Sequence, residues 1–143
     1  MQISFHFLKP ATIRQKIKLK EFILLIFKTE RKAFISLNVI FCSDEYLLQI
    51  NQKFLQHNYF TDIITFNLAE KGSTKIEGEI YISIDRIRDN YKRYKTTFQY
   101  ELQRVIFHGI LHLCGYSDDT IFKKAKMTLK ENFYLERYKQ FIK

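Results

Sequence analysis

Two histidines four residues apart, His108 and His112, sit in an apolar run, and two aspartates, Asp118 and Asp119, follow just beyond a Gly115-Tyr116 turn. On a helix each residue turns by about 100°, so such a pair shares one face, with Cβ atoms roughly 5–6 Å apart. Two imidazoles at that separation can hold one metal ion from a single rigid element. Asp118, six residues after His112, arrives where a carboxylate can fold back as a third ligand. Three protein ligands leave a fourth position for water, which is what separates catalytic from structural zinc. The alternative is a pair of half-buried core histidines bonded to backbone or carboxylates. That reading accounts for the HxxxH spacing but leaves the turn and the aspartate without a role. Glu101, roughly two turns before His108 on a nearby face, is a candidate for orienting a ligand from behind. Gly109 occupies the place where an HExxH metalloprotease carries its general-base glutamate, which argues against a protease.

The element that must present these groups is a helix. Leu102, Val105, Ile106, Gly109 and Leu113 form an apolar stripe at helical spacing, Thr96 with Gln99 suggests a capping box, and Gly115 is a natural stop. Ahead of it, Gln2 to Leu8 alternates as a strand. Pro10 and Thr12 open a helix to about Thr29, with Ile13, Ile17, Phe22 and Leu25 among its apolar positions. Phe34 to Cys42 is expected as a strand, with Ile35, Leu37, Val39 and Phe41 on one side. Ser43-Asp44 caps a helix to about Gln56, with Tyr46, Leu47, Ile50 and Phe54 inward. Thr61 to Leu68 and Lys75 to Ile84 read as strands around an Ala69–Thr74 turn. Asp85 is expected to cap a helix to about Tyr94, and a last helix runs from roughly Thr120 to Phe141. This order predicts an α+β chain, residues 1–143 forming one domain. A four-stranded mixed β-sheet carries helices mainly on one face, with the HxxxH helix near the centre.

The segment HGILHLCGYSD is similar to HGxLHLxGYDH, the signature of the YbeY-type bacterial rRNA-maturation endoribonucleases. The resemblance runs through His108, Gly109, Leu111, His112, Leu113, Gly115 and Tyr116. Asp118 falls where the family has its third histidine, so one ligand changes type. Met127 and Glu131 stand where the family has Met and Glu. TDIITF (Thr61 to Phe66) resembles the family's TDVLSF, and Gly78-Glu79-Ile80 its Gly-Asp-Ile strand. The likeness extends from about Asn51 to Glu131. It breaks at Leu55, where the family's LNxxYR pattern places an arginine suited to bidentate phosphate contact. Lys53 and His57 flank that position and are candidates for a compensating charge.

The resemblance implies an endoribonuclease dependent on one zinc ion and selective for single strands, acting in rRNA maturation and ribosome quality control. His108, His112 and Asp118 would be the ligands, and Asp62 and Glu79 are candidates to take the proton. RNA and ribosomal components would be the partners. A net charge of +9 fits a polyanionic partner, although the abundance of Lys, Ile, Phe, Tyr and Asn also accounts for part of that charge. A rival reading is a ribosome-associated RNA-binding factor with a structural metal, favoured by Leu55. A non-haem iron oxygenase built on two histidines and a carboxylate ranks last, lacking the strand content such barrels use.

Composition bounds the rest. Hydrophobic content of 46% with four Gly and one Pro describes a chain rich in regular elements. Apolar runs such as Phe22 to Phe27 are far short of the roughly 20 residues needed to span a bilayer. No charged start, apolar run and small-residue cleavage site opens the chain, which points to the cytoplasm. Cys42 and Cys114 form no CxxC and are expected as buried, reduced thiols.

Overall fold

The computed structural model describes residues 2–56 and 61–143. Among these residues lie four strands, β1 (Gln2–Phe7), β2 (Ala33–Cys42), β3 (Ile63–Asn67) and β4 (Lys75–Ser83), and five helices. These are α1 (Lys16–Thr29), α2 (Asp44–Leu55), α3 (Ile84–Arg93), α4 (Phe98–Leu113) and α5 (Ile121–Phe141). The sheet order is β1-β2-β4-β3. The first two pairings are parallel, and β3 runs antiparallel to β4 along the edge. This is the expected mixed α+β sheet.

Alternation along β4 sorts the two faces. Ile76, Gly78, Ile80 and Ile82 point toward the main core, while Tyr81 joins Ile64, Phe66, Leu47 and Ile50 under α2. Helices therefore cover mainly one face, and α2 lies on the other. At the centre is α4, packed against α1, α3, α5, β3 and β4. It is buried on most of its circumference: Leu102, Val105, Ile106, Phe107, Ile110 and Leu111 are each no more than 1% exposed. Phe22 of α1 ties this helix to α5, with the rings of Phe107, Tyr134, Tyr138 and Phe141 at centroid distances of 5.0 to 6.4 Å. Gly109 lets α4 approach the sheet. A Cβ there would stand 2.7 Å from Ile63 Cδ1 and 3.1 Å from Ile80 Cδ1.

Several local expectations are displaced, each for a physical reason. The first helix starts at Lys16 rather than near Pro10, because Gln99 holds the preceding loop open. Its amide donates to the Thr12 carbonyl (2.7 Å) and accepts from the Arg14 N–H (3.1 Å). The inward stripe of α1 is Leu19, Phe22, Ile23, Ile26 and Phe27, leaving Ile17 and Leu25 exposed. A bulge between Phe34 and Ser36 turns Ile35 outward and Phe34 inward, reversing the expected side for that one residue. Tyr46 and Phe54 of α2 are exposed, and Asn51 is buried beside Leu47 and Ile50.

The caps move as well. Thr97, not Thr96, caps α4 by accepting from the Tyr100 N–H, since the Thr96 N–H is already spent on the Tyr91 carbonyl at the end of α3. Ser83, not Asp85, caps α3. The Asp85 carboxylate instead accepts from the Asp44 N–H and pairs with Lys9, locking the start of α2 against α3.

Candidate metal centre

Leu113 ends α4, and the chain leaves through Gly115 at φ 105°, a left-handed conformation that glycine adopts without strain. The Tyr116 N–H then bonds to the Leu111 carbonyl at 3.0 Å, folding the turn back over the last helical turn. That fold-back carries Asp118 to the histidines. Its Oδ2 lies 3.4 Å from His108 Nε2 and 3.6 Å from His112 Nε2, and the two Nε2 atoms are 3.0 Å apart. Two donors about 2.05 Å from an ion and separated by the tetrahedral angle lie about 3.3 Å apart, so this triangle has the size of a zinc site.

The hydrogen bonds behind the rings determine what they offer. His108 Nδ1 is 2.6 Å from Glu131 Oε2, and His112 Nδ1 is 3.0 Å from the Tyr116 carbonyl oxygen. A carbonyl and a carboxylate only accept, so both Nδ1 atoms carry the hydrogen. In the neutral rings both Nε2 lone pairs then face each other and a carboxylate oxygen. Three acceptors converge on one point, an arrangement that is unfavourable unless a proton or a metal ion lies between them. The donor set therefore fits a metal ion, and Asp118 rather than Asp119 completes it. Asp119 is drawn away by the Ser117 hydroxyl (2.7 Å) and Lys123 (3.5 Å).

Behind Glu131 stands Arg104, which the sequence reading did not single out. Its guanidinium grips Glu101 at 2.6 and 2.8 Å and reaches Glu131 at 3.3 Å and Asp62 at 3.8 Å. Glu101 and Glu131 are nearly fully buried, and a buried charge persists only when paired. Glu101 thus binds Arg104 rather than a histidine. Burial raises the pKa of Asp62 above its ordinary value, against the opposing pull of Arg104 and His108. For His108, burial lowers the pKa, but the bond and charge of Glu131, with Asp118 and Asp62, outweigh it and raise it.

Glu79 is not brought to the site. It lies on the α2 face of β4, opposite Gly78 and Ile80, and accepts from the Tyr81 hydroxyl. Lys53 is exposed with its ammonium 5.3 Å from the Phe54 ring centre. His57 lies outside the described residues. Leu55, by contrast, is where an arginine would matter. With Asn51, Thr61, Ile63, Ile64 and Thr65 it lines a groove of about 240 Å³ that reaches His112.

The sequence profile described as Endoribonuclease YbeY matches residues 7–139. A relative named Endoribonuclease YbeY from Cytophaga hutchinsonii is 50% identical over 121 residues, 84% of this chain and 83% of that one. Its namesake from Flavobacterium psychrophilum is 39% identical over 136 residues, covering 95% and 96% of the two chains. This chain belongs to the YbeY family. The solution structure of TM1509 from Thermotoga maritima superposes with a TM-score of 0.63 at 30% identity, covering 94% of this chain and 89% of that one. The fold of that structure thus agrees with the architecture described above.

Glu131 had a signal in the sequence. It is the carboxylate within the buried stripe Met127, Glu131, Tyr134, Leu135, Tyr138 of α5, where an acid has to have a partner. Both cysteines are buried, and burial pushes their thiols up to about 12, so Cys114 stays protonated beside the site. Among the described residues no helix is long and apolar enough to cross a membrane.

Proposed function

We propose that this chain is a zinc-dependent endoribonuclease that cuts unpaired RNA in rRNA maturation and ribosome quality control. The observation that carries the reading is the convergence of His108 Nε2, His112 Nε2 and Asp118 Oδ2, none more than 3.6 Å from another, beside a groove lined by His112. When bound, zinc supplies a Lewis acid that brings a water's pKa toward neutrality and stabilises charge on a phosphoryl oxygen. Glu131 and the Tyr116 carbonyl keep the rings aimed inward. Asp62, near enough to Arg104 (3.8 Å) and His108 to feel their charge and with its pKa raised by burial, is the candidate to accept the proton of the attacking water. The water oxygen bonds to phosphorus as the phosphorus–oxygen bond to the departing ribose breaks.

The groove supports selectivity for single strands, since about 240 Å³ is room for a splayed base rather than a duplex. Its β3 wall is an edge strand, so among the described residues one side of that backbone makes no ladder pairing. The net charge of +9 supports phosphate contacts elsewhere on the surface, with RNA and ribosomal components as partners.

Leu55 favours a second reading, an RNA-binding factor whose metal is structural, because the groove lacks a guanidinium at that point. Metal analysis of the purified protein, beside cleavage assays on unpaired and duplex RNA, separates the two. The enzyme reading expects about one zinc per chain and cleavage of the unpaired substrate. The Leu55→Arg variant should bind RNA more tightly, with a salt dependence steeper by about one phosphate contact.

A further inference from the structure

The turn that follows α4 contributes to two of the three candidate ligands. The carbonyl of Tyr116 accepts the His112 Nδ1–H at 3.0 Å, and Asp118 comes two residues later. What fixes this turn lies on another element altogether. The Tyr116 hydroxyl donates to Glu30 Oε1 at 2.7 Å, eighty-six residues away at the C-terminal end of α1. Glu30 also accepts from the Tyr134 hydroxyl and from Lys130 at 3.3 Å, both on α5. The face of the Tyr116 ring is held too, with the ammonium groups of Lys130 and Lys126 at 5.4 and 5.7 Å.

A carboxylate whose side chain is only 8% exposed is costly to keep charged unless several donors satisfy it. Here burial opposes ionisation, but Tyr134, Tyr116 and Lys130 outweigh it and hold the Glu30 pKa below its ordinary value. The acid is thus a fixed, fully engaged acceptor to which α1, α5 and the turn are all joined. Gly115 just before the turn has no side chain to restrain it, and Asp118 just after it is exposed. The Tyr116 side chain is therefore the anchor between a permissive residue and a ligand.

We infer that Glu30, acting through the Tyr116 hydroxyl, is a positioning residue for the metal centre. It sets the ring angle of His112 by placing the Tyr116 carbonyl, and sets the reach of Asp118 by fixing the turn. The inference rests on the metal-site reading above and extends it to an acid on a helix that supplies no ligand. Partners bonded directly to the ligands typically change metal affinity by about 10–100-fold when lost, and Glu30, one residue further out, is expected at the low end of that range.

The test compares three conservative variants by competition of Co²⁺ or Zn²⁺ against a chelator, with thermal unfolding of the metal-free proteins in parallel. Tyr116→Phe cuts the link and leaves Glu30 bonded to Tyr134 and Lys130. Glu30→Gln weakens the anchor itself. Tyr134→Phe removes a different bond to Glu30 and leaves the link intact. The expected result is an affinity loss of about tenfold in the first two and less than about twofold in Tyr134→Phe, while all three lose some thermal stability. A weaker Co²⁺ visible absorption band in the first two would report the altered ligand geometry directly. Wild-type affinity in Tyr116→Phe, or equal losses in all three variants, would mean the cluster is only structural and overturn the inference. Wild-type protein that binds no metal, or binding that survives His112→Ala, would instead overturn the metal-site reading on which it rests.

Discussion

His108 Nδ1 lies 2.6 Å from the Glu131 carboxylate, joining α4 to α5 and fixing which ring nitrogen can face a metal. The amide of a Glu131→Gln variant would keep the size but accept more weakly and could also donate. Metal affinity should fall about tenfold, measured by chelator competition at constant pH. An unchanged affinity would show that the ring is oriented by packing alone.

The two aspartates after the turn are separable. Asp118→Asn should weaken metal binding, whereas Asp119→Asn should leave it unchanged, because Asp119 is engaged by Ser117 and Lys123. The reverse result, read by metal stoichiometry of the two variants, would transfer the ligand role to Asp119.

Arg104 neutralises two acids that are nearly out of water. Replacing it by Met fills similar volume but strands Glu101 and Glu131, and removing one partner of a buried pair typically costs 3–5 kcal/mol. Arg104 is itself 28% exposed, so water can partly compensate and the low end, about 3 kcal/mol, is expected from denaturant unfolding. A loss of under about 0.5 kcal/mol would mean that the acids are protonated or solvated without it.

The acid limb of stability should depend on Glu30. Its pKa is lower in the folded protein than the ordinary 4.5, so its ionised form stabilises the fold fully above that value. The contribution is lost as pH falls through the lower folded value. Metal-free wild type should therefore exceed Glu30→Gln in stability at pH 6, with the gap shrinking below about pH 4.5. A gap independent of pH in urea titrations would show that the bonds to Glu30 do not require its charge.

Much of the fold and the clustering of the three candidate ligands was legible because strong periodicity and short-range spacing encode them. His108, His112 and Asp118 lie within one helix and one turn, so local geometry brings them together. What escaped depends on contacts between distant elements. Glu101 looked like the acid behind the histidines because it shares their helix, yet Arg104 three residues on captures it, and the acid on His108 comes from α5. The apolar positions named on α1 do not by themselves give its inward face: Ile17 and Leu25 are exposed, because apolar residues occur almost all round that helix and packing against α4 and α5 selects the buried side. Ile35 was misplaced by a bulge, which breaks the period of two without a glycine or proline to announce it. Thr96 and Thr97 are equivalent as caps by composition, and the ending of α3 decides between them.

The central claim is that the ion held by His108, His112 and Asp118 is used to cut RNA. Its most direct test is cleavage of a single-stranded RNA by zinc-loaded wild type and by His112→Ala, with RNA binding measured on the same preparations. Loss of an imidazole ligand should abolish cleavage, while affinity changes little because phosphate contacts are spread over the surface. His112→Ala protein that still cuts at the wild-type rate, or wild type that binds zinc and RNA yet cuts nothing, would contradict the account.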